Sequence, residues 1–159
     1  YQKVKELAKF NQEDIVYDLY TGTGTIAQYI SKYVQNVIGI DCVEDSINSA
    51  KENAEYNKIN NCSFYCGDMK NILTEDFIKK SKKPNIIITD PPREGMHKKV
   101  VEQIINISPQ KIIYISCNSS TQARDIEILS QKYKTVEVQP VDMFPQTYHV
   151  ENIVILERK

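Results

Sequence analysis

The chain predicts an α/β fold, a doubly wound and mostly parallel sheet with helices on both faces. Three observations carry this. Apolar runs alternate with segments of helical character along the whole chain. Two of those runs, Ile86-Ile87-Ile88 and Ile112-Ile113, are continuous rather than alternating, as in strands covered on both sides. Polar and reactive residues fall where the runs stop, the edge at which such sheets bind ligands.

"YQKVKELAKF" reads as a helix, and residues 14–20, "DIVYDLY", as the first strand. "TGTGT" then opens a helix running through about residue 33. Residues 36–41, "NVIGID", form the second strand. A helix follows over 44–57, with Ile47, Ala50 and Ala54 at helical spacing on its inner face. Further strands are expected at "CSFYCGD" (62–68), "PNIIITD" (84–90) and "KIIYISC" (111–117). A helix is expected at "TQARDIEILSQKY", then two strands, "KTVEVQPVDMF" and "ENIVILER". No repeat or linker interrupts residues 1–159, so one domain is expected.

The 159 residues suffice for a proper core, and the 41% hydrophobic and 26% charged content is that of a soluble globular domain. No apolar run approaches the roughly 18 residues of a membrane span. The first residue is Tyr1, so the chain reads as a fragment of a longer protein. Cys42, Cys62, Cys66 and Cys117 form no disulfide frame, which points to reduced thiols and a cytoplasmic location. Cys62 and Cys66 have no second Cys/His pair to complete a zinc site. Net charge is −1, from 20 basic and 21 acidic residues. A domain that grips polynucleotide by itself carries a basic excess. Either no polynucleotide binds, or the phosphate-gripping surface lies outside these residues.

The strand ends collect Asp18 with the "TGTGT" loop, then Asp41, Asp68, "DPPR" (90–93) and "SCN" (116–118). Gly22, Gly24 and Ala27 complete G-x-G-x-x-A between a strand and a helix. Such a turn lets the backbone approach a ligand and offers helix N–H groups to it. Asp41 follows Gly22 by 19 residues, the distance at which a carboxylate accepts both ribose hydroxyls. Nucleoside binding is therefore expected, by NAD or by S-adenosylmethionine. Asp68 after strand three and "DPPR" after strand four suit the second better. The prolines end strand pairing and stiffen the backbone beside Asp90. Taken alone, "DPPR" can also be read as a rigid strand-to-helix turn, and Cys117 as a small apolar filler.

Together, "DLYTGTGTIA", "GID", "GD", "TDPPREGM", "YISCNSSTQARD" and "DMFPQTYHVENIVILERK" resemble the catalytic domain of the RNA uridine-5-methyltransferase family. The resemblance runs from about Asp18 to the C-terminus. It implies a Rossmann-like methyltransferase sheet with an antiparallel C-terminal strand, S-adenosylmethionine as cofactor, and an RNA substrate. Ribosomal 23S RNA is favoured over transfer RNA. It further implies a monomer whose RNA-binding region, and any iron–sulfur cluster, lie outside these residues. Cys117 matches the family nucleophile and Glu151 of "HVE" the base. Gly22, Asp41, Asp90 and Asp68 match cofactor positions, with Asp18, Tyr20 and Gly24 beside them. Pro91, Arg93 and Asn118 are assigned to the substrate. Asp41 stands where the family commonly has Glu, and Thr21 where it commonly has Cys.

Those residue types suit one chemistry. A thiolate adding to C6 of uracil makes C5 nucleophilic, and a carboxylate then removes the C5 proton. Cys117 precedes a helix start, where amide dipoles favour an anion. Phe144, Tyr148 or His149 line the opening, or belong to a packed turn. Arg124 is expected to form a structural ion pair, and Lys79, Lys80, Lys82 and Lys83 a solvated loop. Other readings stay open: an N-methyltransferase using "DPPR", a transfer RNA enzyme, or a cofactor-binding module inert in isolation.

Overall fold

The structure, a computed structural model, describes residues 1–143, 145–147 and 150–159. At the centre of the five parallel strands lies β1 (Ile15–Leu19), paired in parallel with β2 (Asn36–Asp41) on one side and β4 (Ile86–Thr89) on the other. Parallel pairing continues outward to β3 (Cys62–Cys66) beyond β2 and to β5 (Lys111–Ser116) beyond β4. The last strand, β7 (Glu151–Arg158), runs antiparallel to β5, and β6 (Tyr133–Val141) pairs antiparallel with β7 to form the edge. The order is β3-β2-β1-β4-β5-β7-β6, so the mostly parallel sheet with an antiparallel C-terminal strand is as expected.

Strand residues alternate between two buried layers. Val16, Ile86, Ile88, Ile113, Ile115, Ile153 and Ile155 pack with α1 (Gln2–Ala8), α2 (Thr25–Ile30) and α3 (Glu44–Tyr56). Tyr17, Leu19, Ile87, Ile112, Tyr114, Val154 and Leu156 face the other way. They meet α4 (Met69–Ile72), α6 (Lys98–Ile107) and α7 (Ser119–Leu129), with Phe77 and Ile78 of α5 (Glu75–Ser81) at the margin. Each fully buried isoleucine contributes about 1.5–3 kcal/mol by leaving water. That is why continuous apolar runs pick out the central strands.

Several boundaries differ from the sequence reading. The helix after "TGTGT" ends at Ile30 and tightens into a 3-10 turn, Ser31–Tyr33. Lys79 and Lys80 stand on α5 rather than in a loop. Thr74 caps that helix, accepting a hydrogen bond from Phe77 N, and Lys79 lies 3.8 Å from Glu75 one turn back. Lys82, at φ 64°, and Lys83 make the turn that follows. Helix α6 was not assigned, although Val100, Val101, Ile104 and Ile107 form its buried stripe. β5 ends at Ser116, one residue short of Cys117.

Candidate active site

Strand parity collects three reactive side chains on one side of the sheet. Counting in twos from buried Ile86 and Ile88 reaches Asp90; from Ile113 and Ile115 it reaches Cys117; from Ile155 and Ile153 it reaches Glu151. Ser116 is the register partner of Asn152, so the next step of that antiparallel ladder sets Cys117 opposite Glu151. Asp90, Cys117 and Glu151 line one cavity of about 530 Å³, walled by Ile26, Ile115, Val141 and Ile153 and by the first turn of α1. That volume suits a small planar ligand. Asp90 sits at an exposed position. Even so, withdrawal of water from its carboxyl, and secondarily the charge of Glu151, push it up to about 6.

The glycine loop lies on the same edge. Thr21 N donates to Ile40 O (3.0 Å) and Gly22 N to Asp41 Oδ2 (2.9 Å), while Asp41 Oδ1 accepts Val43 N (3.0 Å). Asp41 thus braces the loop while keeping lone pairs for a ligand's hydroxyls. Gly22, at φ 54°, has open space where a side chain would start. Gly24, at φ 78°, is instead pressed against Phe64 and Ala50, and a Cβ there would lie 2.9 Å from the Phe64 ring. Beneath the loop Asp18 is 1% exposed. Its Oδ2 accepts from Thr21 Oγ1 (2.6 Å), and its Oδ1 has no hydrogen-bond partner among the described residues. Burial pushes this carboxyl up to about 7, with a smaller contribution from Asp90.

Other expected residues are placed differently. Tyr20, at φ 62°, packs against the opposite apolar layer, and burial raises its hydroxyl to about 12. Asp68 is exposed and caps α4. It accepts Lys70 N (3.0 Å) and pairs with Lys70 Nζ (3.1 Å), and the backbone bond, first, holds its carboxyl below the usual range. Pro91 is buried and Arg93 exposed. Asn118 caps α7, its Oδ1 accepting Ser120 N (3.1 Å), and its Nδ2 donates to Arg93 O (3.0 Å). Phe144, Tyr148 and His149 lie outside the described residues.

Much of the scaffolding was not foreseen. Thr121 Oγ1 also donates to Arg93 O (3.0 Å). Asp125, 1% exposed, accepts Met96 N and Tyr114 OH, both at 2.7 Å. Arg124 pairs with Asp125 (2.8 Å), as expected, and reaches Glu94 O (2.9 Å). Helix α7 therefore grips the "DPPREGM" loop. A sequence signal existed: Gln122 and Asp125 occupy buried positions in line with Leu129, where apolar residues would be expected. Among the described residues, no group of three or more His, Cys, Asp or Glu could hold a metal ion.

A profile described as tRNA (uracil-5-)-methyltransferase matches residues 2–159. The chain belongs to the tRNA (uracil-5-)-methyltransferase family. Within this family's reach lies an uncharacterised RNA methyltransferase of Bacteroides thetaiotaomicron, 54% identical over 157 residues, which are 99% of this chain and 35% of the relative. One from Porphyromonas gingivalis is 49% identical over 160 residues, 34% of its length. The chain thus spans about a third of the curated relatives it matches. Among solved structures, the Pyrococcus abyssi tRNA (uracil-54, C5)-methyltransferase in complex with S-adenosyl-L-homocysteine superposes with a TM-score of 0.83. It is 32% identical, over 98% of this chain and 37% of that one. A Plasmodium falciparum dimethyladenosine transferase, 22% identical with a TM-score of 0.76, shares the fold.

Proposed function

We propose that this domain transfers a methyl group from S-adenosylmethionine to C5 of a uridine in RNA through a covalent intermediate. The observation that carries this is the single cavity shared by Asp90, Cys117 and Glu151 beside the glycine loop. The loop fits a nucleoside sulfonium: open backbone at Gly22, a carboxylate at Asp41, and a buried Asp18 with one unsatisfied oxygen. When bound, the cofactor supplies an electrophilic methyl group. Asp41 would hold its ribose, and Asp90, between loop and cavity, would steady it against the base.

The target uridine leaves its stack to enter the cavity. Cys117 Sγ, as thiolate, adds to C6, and the C5=C6 electron pair moves onto C5 and O4. C5 would then take the methyl group as the methyl–sulfur bond breaks, its electron pair staying on sulfur and S-adenosylhomocysteine leaving. The Glu151 carboxylate removes the C5 proton; the freed electron pair restores C5=C6, the C6–S bond breaks, and sulfur leaves as thiolate. The proton on Glu151 passes to solvent. Addition is thereby split from elimination, each step with its own residue.

In the intact protein, Cys117→Ala should abolish transfer of tritiated methyl to RNA from cells lacking the gene. RNA carrying 5-fluorouridine should leave a complex that survives denaturation, because fluorine at C5 cannot depart as a proton does. Retained turnover in Cys117→Ala would overturn the covalent route. The C-terminal segment resembles the ribosomal RNA branch, and we propose 23S ribosomal RNA ahead of transfer RNA. Mass mapping of 5-methyluridine in both RNA pools from cells lacking the gene decides between them.

A further inference from the structure

Behind the cavity, on the opposite face of the sheet, Gln122 and Asn152 form a reciprocal amide pair. Asn152 Nδ2 donates to Gln122 Oε1 (2.7 Å), and Gln122 Nε2 donates back to Asn152 O (3.2 Å) and to Tyr114 O (2.9 Å). Gln122 is 1% exposed. A single amide thus ties three elements together: α7, which starts at Ser119, two residues after Cys117; β5, which ends directly before it; and β7, which begins with Glu151. Asn152 is the register partner of Ser116, the residue preceding Cys117.

We infer that Gln122 and Asn152 are a positioning pair for the base: their amide lock holds Glu151 in register with Cys117 so that proton removal keeps pace with addition. This rests on the covalent reading above. The physical reason is that buried amides leave no cheap alternative. Once Gln122 is enclosed, its donors must be satisfied by these carbonyls, and β7 cannot shift without stranding them. The lock touches neither RNA nor cofactor, being on the far side of the sheet. Loss of its arm to β7 should therefore act on the elimination step, where Glu151 must reach C5, more than on addition by Cys117, whose flanking β5 and α7 the bond from Gln122 to Tyr114 O still ties together.

The test uses the intact protein, tritiated S-adenosylmethionine, and unfractionated tRNA and ribosomal RNA from cells lacking the gene. Asn152→Ala removes the donor to Gln122 and leaves the bond from Gln122 to Tyr114 O between α7 and β5; Gln122→Met keeps the volume, removes every amide bond and so loosens the flank of Cys117 as well. The expected result in Asn152→Ala is kcat and KM lowered together, kcat about tenfold, with kcat/KM nearly unchanged, and denaturation-resistant RNA–protein adduct accumulating at steady state on natural RNA. The double variant should be no slower than the worse single one. Wild-type adduct levels and kcat, or a lower kcat without accumulation, overturn the inference. Cys117→Ala and Glu151→Gln run in parallel keep the two ideas apart. If Cys117→Ala still turns over, the covalent reading fails. If Cys117→Ala is dead and Glu151→Gln accumulates adduct while the lock variants do not, only the positioning role fails.

Discussion

Asp18 illustrates how one buried group shapes pH behaviour. Its folded carboxyl, at about 7, lies well above the ordinary value of 3.8, so folding favours the protonated form. The stability this group contributes is full below about 4 and is lost as pH rises through about 7. Asn carries no charge to bury. Asp18→Asn should therefore raise Tm by an increasing margin between about pH 5 and pH 8, measured by thermal unfolding without cofactor; a constant margin contradicts the burial. Asp90 obeys the same logic with a second cause. Removing the Glu151 charge in Glu151→Gln should lower the Asp90 carboxyl from about 6 while burial keeps it above the ordinary range, which carbon-detected NMR titration reads directly. Of the residues proposed to bear chemistry, Cys117 and Asp41 stood out in the sequence because each closes an apolar run, and Glu151 through the resemblance carried by "HVE". Gln122 showed only as a polar residue in line with Leu129, and its pairing with Asn152 not at all, since a hydrogen bond between amides separated by 30 residues leaves no local pattern.

The glycine loop separates two uses of one residue type. Gly24→Ala meets Phe64 at 2.9 Å and Ala50 at 3.0 Å from a strained φ of 78°, so a loss of about 2–4 kcal/mol is expected by urea unfolding. Gly22→Ala meets nothing within 4 Å. Its cost to stability should be only about 1 kcal/mol, with calorimetry showing the larger effect as weakened S-adenosylhomocysteine binding. Equal stability losses would mean that the loop is packed uniformly and Gly22 has no open side. The strands were legible because Ile86 to Ile88 and Ile112 to Ile113 need cover on both faces. Helix α5 was misread because four lysines within residues 79–83 look like a solvated loop, and the Thr74 cap that starts the helix is a single hydroxyl. Helix α6 was passed over although its stripe is clear, because "DPPREGM" drew the reading to a turn.

The net charge of −1 bears on how the 159 residues would meet RNA, the proposed substrate. Few phosphate contacts mean little counterion release, so this domain alone should bind RNA weakly, with an affinity almost flat between about 50 and 200 mM salt. The intact protein should show a steep slope in the same filter-binding assay; a steep slope for the domain alone would place the phosphate grip here. The topology has a further consequence for anyone editing this chain. Glu151 faces the thiol only because it is an even number of steps from Ile153 and Ile155. One residue inserted between Asn152 and Ile153 would turn the carboxylate to the wrong side, and two would restore its side but carry it about 7 Å along the strand. Chemistry here is written in odd and even numbers: the strand tolerates exchanged letters, but not a changed count.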